Sequence, residues 1–98
     1  MAYAIGAIRV KDYGQWKQAF DQGAALRKAF EMKSYRIFQT VDDPNCLVIL
    51  VEFASAEAAG TFLGSAELRE AEKGSGVVER FDTFDTSRFL VEADSGRV

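Results

Sequence analysis

Histidine is missing altogether from this chain of 98 residues. That absence removes imidazole as a metal ligand, as the base of a Ser-His or Cys-His pair, and as a neutral-pH acid or base. Cysteine occurs once, at Cys46, so no intrachain disulfide is available, and with no activating base in view it reads as a small buried hydrophobe. Basic residues are too few and too scattered for a nucleic-acid footprint: 12 Lys and Arg against 15 Asp and Glu leave a formal charge of -3. No apolar run approaches the roughly 20 residues that cross a bilayer. Strand-like residues follow Met1 in place of a secretory leader, so the expected location is cytoplasmic. Gly-rich phosphate loops, Walker motifs and metal-spaced clusters are also lacking, Gly74-Ser75-Gly76 being too short to count. Neither a metal nor an organic cofactor is expected, and the partners exclude nucleic acid and membrane.

What the chain does have is apolar material. Hydrophobic residues make up 48% of it, with eight Phe, more than a single small domain easily hides, and self-association is the natural outlet. The run Asn45–Phe53 is the clearest case. As a strand it sends Leu47, Ile49, Val51 and Phe53 one way and Cys46, Val48, Leu50 and Glu52 the other. Both sets are largely apolar, so both faces of a central strand here need cover.

Ala2–Val10 reads as a first strand whose even-numbered set is the more uniformly apolar. Asp12 is a good helix N-cap with Gln15 three residues on, and Tyr13, Trp16, Phe20 and Ala24 recur at helical spacing. Gly23 sits inside that helix, where a close helix-sheet contact would explain it. Arg27 falls where the stripe requires an apolar residue; its stem would pack while its head reaches water. Lys33–Val41 switches to a period of two, and Asp42-Asp43-Pro44-Asn45 is turn chemistry that joins it as a hairpin to the central strand. A regular hairpin places Val41 opposite Cys46, Gln39 opposite Val48, Ile37 opposite Leu50 and Tyr35 opposite Glu52, unless a one-residue bulge intervenes. Ser55 caps a second helix that Gly64 interrupts and Ser65 restarts. Val77–Phe84 fits neither period. Thr86–Glu92 is the expected last strand.

The resulting order, strand-helix-strand-strand-helix-strand, is an α+β, ferredoxin-like βαββαβ arrangement: a four-stranded antiparallel sheet with its helices on one face. Residues 1–93 would form this one domain, 94–98 a frayed tail. The bare face of the sheet would then be covered by a second copy, giving a homodimer.

Several stretches also resemble a known group. Val10-Lys-Asp-Tyr-Gly-Gln-Trp-Lys, Lys33-Ser-Tyr-Arg-Ile-Phe, Asp42-Asp-Pro-Asn, Val51-Glu-Phe, Ser65-Ala-Glu-Leu-Arg-Glu-Ala and Arg88-Phe-Leu-Val-Glu are similar to the small dimeric α/β-barrel proteins, nearest to the antibiotic-biosynthesis-monooxygenase-like branch. The motifs are mainly scaffold. The resemblance implies a dimeric barrel with a small-molecule cavity near the sheet and, by analogy with its characterised members, cofactor-independent oxygenation of a phenolic or polyketide-like compound. Members that depend on histidine, including those that ligate haem iron, have no counterpart here.

In that scheme Glu52, in an otherwise apolar strand, would be desolvated and would abstract a proton, with Tyr35 donating a hydrogen bond across the hairpin. Gln39 would orient the substrate, and Arg36 or Arg9 would stabilise the anion. Trp16 would line an aromatic pocket. Each has a plainer reading: Glu52 at the strand end reaching solvent or the partner subunit, the arginines in ion pairs, and Trp16 in the core. The rival function is a non-catalytic dimeric binding or interaction module built from the same residues.

Overall fold

The structure, a computed structural model, describes residues 1–81 and 90–98. It is an α+β chain with a five-stranded, wholly antiparallel sheet and four helices: β1 (Ala2–Val10), α1 (Tyr13–Gln22), α2 (Ala24–Ala29), β2 (Met32–Thr40), β3 (Asp43–Phe53), α3 (Ala56–Leu63), α4 (Ala66–Lys73), β4 (Val77–Phe81) and β5 (Leu90–Arg97). The strand order is β4-β1-β3-β2-β5. The apolar run thus becomes the middle strand of five.

The helix starts follow from their caps. Asp12 Oδ2 accepts from the Gln15 amide at 2.9 Å, Ser55 Oγ from Ala58 at 3.1 Å and Ser65 Oγ from Leu68 at 3.1 Å. Each satisfies one of the amides that a helix N-terminus leaves without an internal partner. Gly23 and Gly64 divide both helical segments, so the long first helix of the sequence reading is in fact two. After α2 the chain turns through Glu31, a non-glycine residue at φ 65 whose amide donates to the Lys28 carbonyl at 3.1 Å. A Cβ in the left-handed region is strained. Glu31→Gly is therefore expected to stabilise the protein by about 1 kcal/mol, read as a higher urea midpoint.

All four helices pack on one face of the sheet. Ile8, Val10, Leu47 and Ile37 are buried against Trp16 of α1, while Met32, Val51 and Phe53 are buried against Ala58, Ala59 and Phe62 of α3. Phe53, Ile37 and Leu47 are fully buried. The opposite face carries Tyr3 and Ile5, both exposed, together with Val48, Leu50 and Glu52, which pair across β1 and β3 in the register Tyr3 to Glu52 and Ile5 to Leu50.

Three expectations are corrected. The sheet has five strands, because Val77–Phe81 of the ambiguous Val77–Phe84 stretch forms edge strand β4, 82–84 lying outside the described residues, and a further strand pairs with β2. Of the expected frayed tail, 94–98, all but Val98 belongs to that further strand: Asp94 pairs with Ile37, Gly96 with Tyr35 and Arg97 with Ser34, and the Val98 amide donates to Lys33 at 2.9 Å. Of the expected last strand, 86–89 lies outside the described residues and 90–92 opens β5. Finally, the β2–β3 hairpin carries a register shift between Gln39 and Thr40, so that Thr40 faces Asp43 while Gln39 faces Leu47, Ile37 faces Ile49 and Tyr35 faces Val51. One residue of offset reverses the faces of a strand.

Candidate functional site

That offset separates the residues expected to act together. Tyr35 and Gln39 move to the helix-covered face, whereas Glu52 stays on the other. There its carboxylate accepts from Tyr3 Oη at 3.0 Å and from Ser34 Oγ at 3.1 Å. No ligand on one face of the sheet reaches both Glu52 and Tyr35. Arg36 and Arg9 share the Glu52 face and are engaged on it: Arg36 grips Glu92 through Nε at 3.3 Å and Nη2 at 2.9 Å, and Arg9 pairs with Glu79 at 2.6 Å. Gln39 Nε2 donates to the Pro44 carbonyl at 3.0 Å, bracing the turn.

Tyr35 is a pin between α1 and β5. Its ring meets Phe20 edge-on at 4.9 Å, and its hydroxyl donates to Asp94 at 3.3 Å. Gly96 makes this possible, since a Cβ there would come within 2.9 Å of the Tyr35 hydroxyl. Asp94 also pairs with Lys17 of α1 at 2.8 Å, and Lys17 reaches Asp21 one turn on. The Lys17 hydrogen bond holds the Asp94 carboxyl below its usual range. Burial pulls Lys17 down, but its two carboxylate partners outweigh that and raise it. Burial, reinforced by Asp94, pushes the Tyr35 phenol up.

Of the sequence candidates only Trp16 reaches a cavity. A space of about 350 Å³ lies between the helices and the sheet. Its floor is Ala4, Gly6 and Ile8 of β1 with Ile49 and Val51 of β3; one wall is Trp16, Ala19, Phe20, Leu26 and Arg27, and the other is Phe62, Leu63, Leu68, Ala71 and Glu72. The volume falls within the range of small-ligand pockets, roughly 300 Å³ and above. A second recess of about 410 Å³, between the end of α2 and the start of α3, is walled mostly by exposed residues such as Glu31, Glu57 and Thr61 and contains no buried charge.

Arg27 is the residue the sequence reading missed. Its head does not reach water: the side chain is 7% exposed. Nη1 donates to the Phe20 carbonyl and the guanidinium lies 3.8 Å over the Phe20 ring, with the Tyr35 ring at 5.6 Å. Gly23 accommodates it, because a Cβ there would stand 3.2 Å from Nη1. No carboxylate pairs with Arg27 among the described residues, and its buried Nε has no hydrogen-bond partner. Burial lowers the guanidinium from its ordinary value, although a group so basic remains charged. An unsatisfied buried donor costs about 1–3 kcal/mol. The signal was in the sequence: an arginine on the apolar stripe of a helix is either a stem with an exposed head or a buried cation, and the stripe alone does not decide between them.

Chemically the cavity is an apolar recess with one cation in its wall that has no ion-pair partner among the described residues, since its other described charged walls, Glu72 and Arg80, pair with each other. No helix of the described residues is long and apolar enough to cross a membrane. No protein-family model matches the chain, and neither curated proteins nor solved structures give a match.

Proposed function

We propose that this protein binds a small, largely apolar molecule in the space between its helices and its sheet. The observation that carries the reading is the cavity itself, about 350 Å³ with aliphatic and aromatic walls drawn from both helical pairs and four strands. A half-open apolar recess of this size, walled on several sides, is the usual form of a small-ligand site. Cofactor-independent, monooxygenase-like chemistry on a phenolic or polyketide-like compound is the catalytic form of this reading. It requires the compound to ionise without Glu52, which faces the other side of the sheet, and so favours ligands that are already anionic near neutral pH. The test is a thermal-shift screen of such compounds, with oxygen uptake measured on any hit, repeated on Ala71→Phe. Ala71 is exposed at the cavity wall, so the larger side chain fills the site without disturbing the core. Ligand-induced shifts should vanish in that variant while the far-ultraviolet circular dichroism is kept; undiminished shifts would place binding elsewhere.

The placement of β3 between β1 and β2, with the helices on one face, supports a ferredoxin-like core extended by β5. It also supports the second reading, a homodimer through the open face, where exposed Ile5 and Tyr3 lie beside Leu50. Sedimentation should then give twice the 10.8 kDa chain mass, and Ile5→Asp should give the monomer, because it would bury an unpaired charge at the interface. A wild-type monomer at micromolar concentration counts against the dimer.

A further inference from the structure

We propose that Arg27 anchors the carboxylate of an amphipathic monoanion whose apolar body fills the cavity. The assignment rests on the ligand-binding reading above and names the class of ligand. Buried arginines are ordinarily paired with carboxylates; this one, 7% exposed, has none among the described residues. Its one directed hydrogen bond, from Nη1 to the Phe20 carbonyl, fixes the far side of the fork. Nε is left without a partner and shut off from water. With the neighbouring Nη, Nε forms one of the donor pairs by which a guanidinium takes a carboxylate through two parallel bonds. Rotation about the last side-chain torsions presents it to the cavity that Arg27 already walls.

The charge of the ligand follows from the inventory of the walls. Among the described wall residues Glu72 and Arg80 cancel, leaving a single positive charge, which suits one negative charge and not two. The remainder of the ligand follows from the surfaces opposite: Trp16 and Phe20 beside the guanidinium, Met32, Val51 and Phe62 beyond it. These take an aromatic or aliphatic body and offer it few hydrogen bonds. Stacking of the guanidinium on Phe20 holds the cation in place while the site is empty.

Trp16, the only tryptophan, reports binding directly. The experiment is a fluorescence titration of the full chain with phenylbutanoate and with its neutral isostere, phenylbutanamide, on wild type, Arg27→Met and Arg27→Lys. Wild type is expected to bind the carboxylate about 10–100-fold more tightly than the amide, as a charge-assisted bond implies. Arg27→Met should lose that preference while still binding the amide, and Arg27→Lys should retain part of it. Equal binding of the two compounds by wild type, or a preference that survives in Arg27→Met, overturns the anchor and leaves the apolar cavity as a binding site. Failure of both compounds to bind at millimolar concentration overturns the anchor and the ligand-binding reading together. Should Arg27→Met fail to fold, the wild-type ratio decides.

Discussion

Phe53→Ala is expected to lower the unfolding free energy by about 3–5 kcal/mol, the range for emptying a fully buried phenylalanine site. Phe53 closes the central strand β3, is 0% exposed, and packs on Phe62 of α3 at 5.6 Å between ring centroids. It pairs with Ala2 of β1 on one side and Met32 of β2 on the other, so the side chain is held at a junction of three strands and a helix. The site collapses poorly because two of its neighbours are themselves constrained: Phe62 is pressed on Phe30 at 5.4 Å, and Met32 sits at a register shift. A domain of this length is stable by about 5–15 kcal/mol. The loss therefore takes up a large part of the total and, at the lower end of that range, leaves a substantially unfolded population. Urea denaturation followed by tryptophan fluorescence measures it; a loss below 1 kcal/mol would mean that β3 is not the centre of the core.

Arg27→Met has the opposite sign. It should stabilise the empty protein by about 1 kcal/mol net, because it removes a buried donor that nothing satisfies, a penalty of about 1–3 kcal/mol. Two losses set against this are modest. The cation-aromatic contact with Phe20 is worth roughly 0.5–2 kcal/mol. The Phe20 carbonyl keeps the Gly23 amide at 3.0 Å and is not orphaned when Nη1 goes. Methionine fills the stem's volume with a flexible apolar chain. A rise of several degrees in the melting temperature is the expected readout. A side chain retained at the expense of stability is a hallmark of a binding site. A fall in melting temperature would make Arg27 a structural brace.

The sequence made plain those features that local chemistry determines. Asp12, Ser55 and Ser65 act as caps because a side-chain oxygen one or two atoms beyond Cβ reaches the third amide on, whatever the surroundings. Asn45–Phe53 is the middle strand because only a position with neighbours on both sides suits two apolar sets. Features that depend on the assembled sheet were out of reach. Leu90–Arg97 has a Gly, an Asp and a Ser and almost no buried side chain; it is a strand because β2 offers a free edge and Asp94 meets Lys17 and Tyr35. The register shift at Gln39 and Thr40 is stabilised by the Thr40 hydroxyl donating to the Asp43 carbonyl at 2.8 Å. A count of residues in the turn does not disclose that bond, and the shift it supports moved Tyr35 and Gln39 away from Glu52. Arg27 was visible as a misfit on its stripe, but the direction of its head depended on where α2 meets the sheet.

The side-chain Nε–Hε resonance of Arg27, followed by heteronuclear NMR as phenylbutanoate is added to the wild-type chain, tests the anchoring role most directly. Capture of a carboxylate by the unpartnered Nε–H should move that resonance downfield, saturably, and with the same midpoint as the Trp16 fluorescence. A Trp16 response with an unmoved Arg27 resonance would show a ligand in the cavity that the buried cation does not hold.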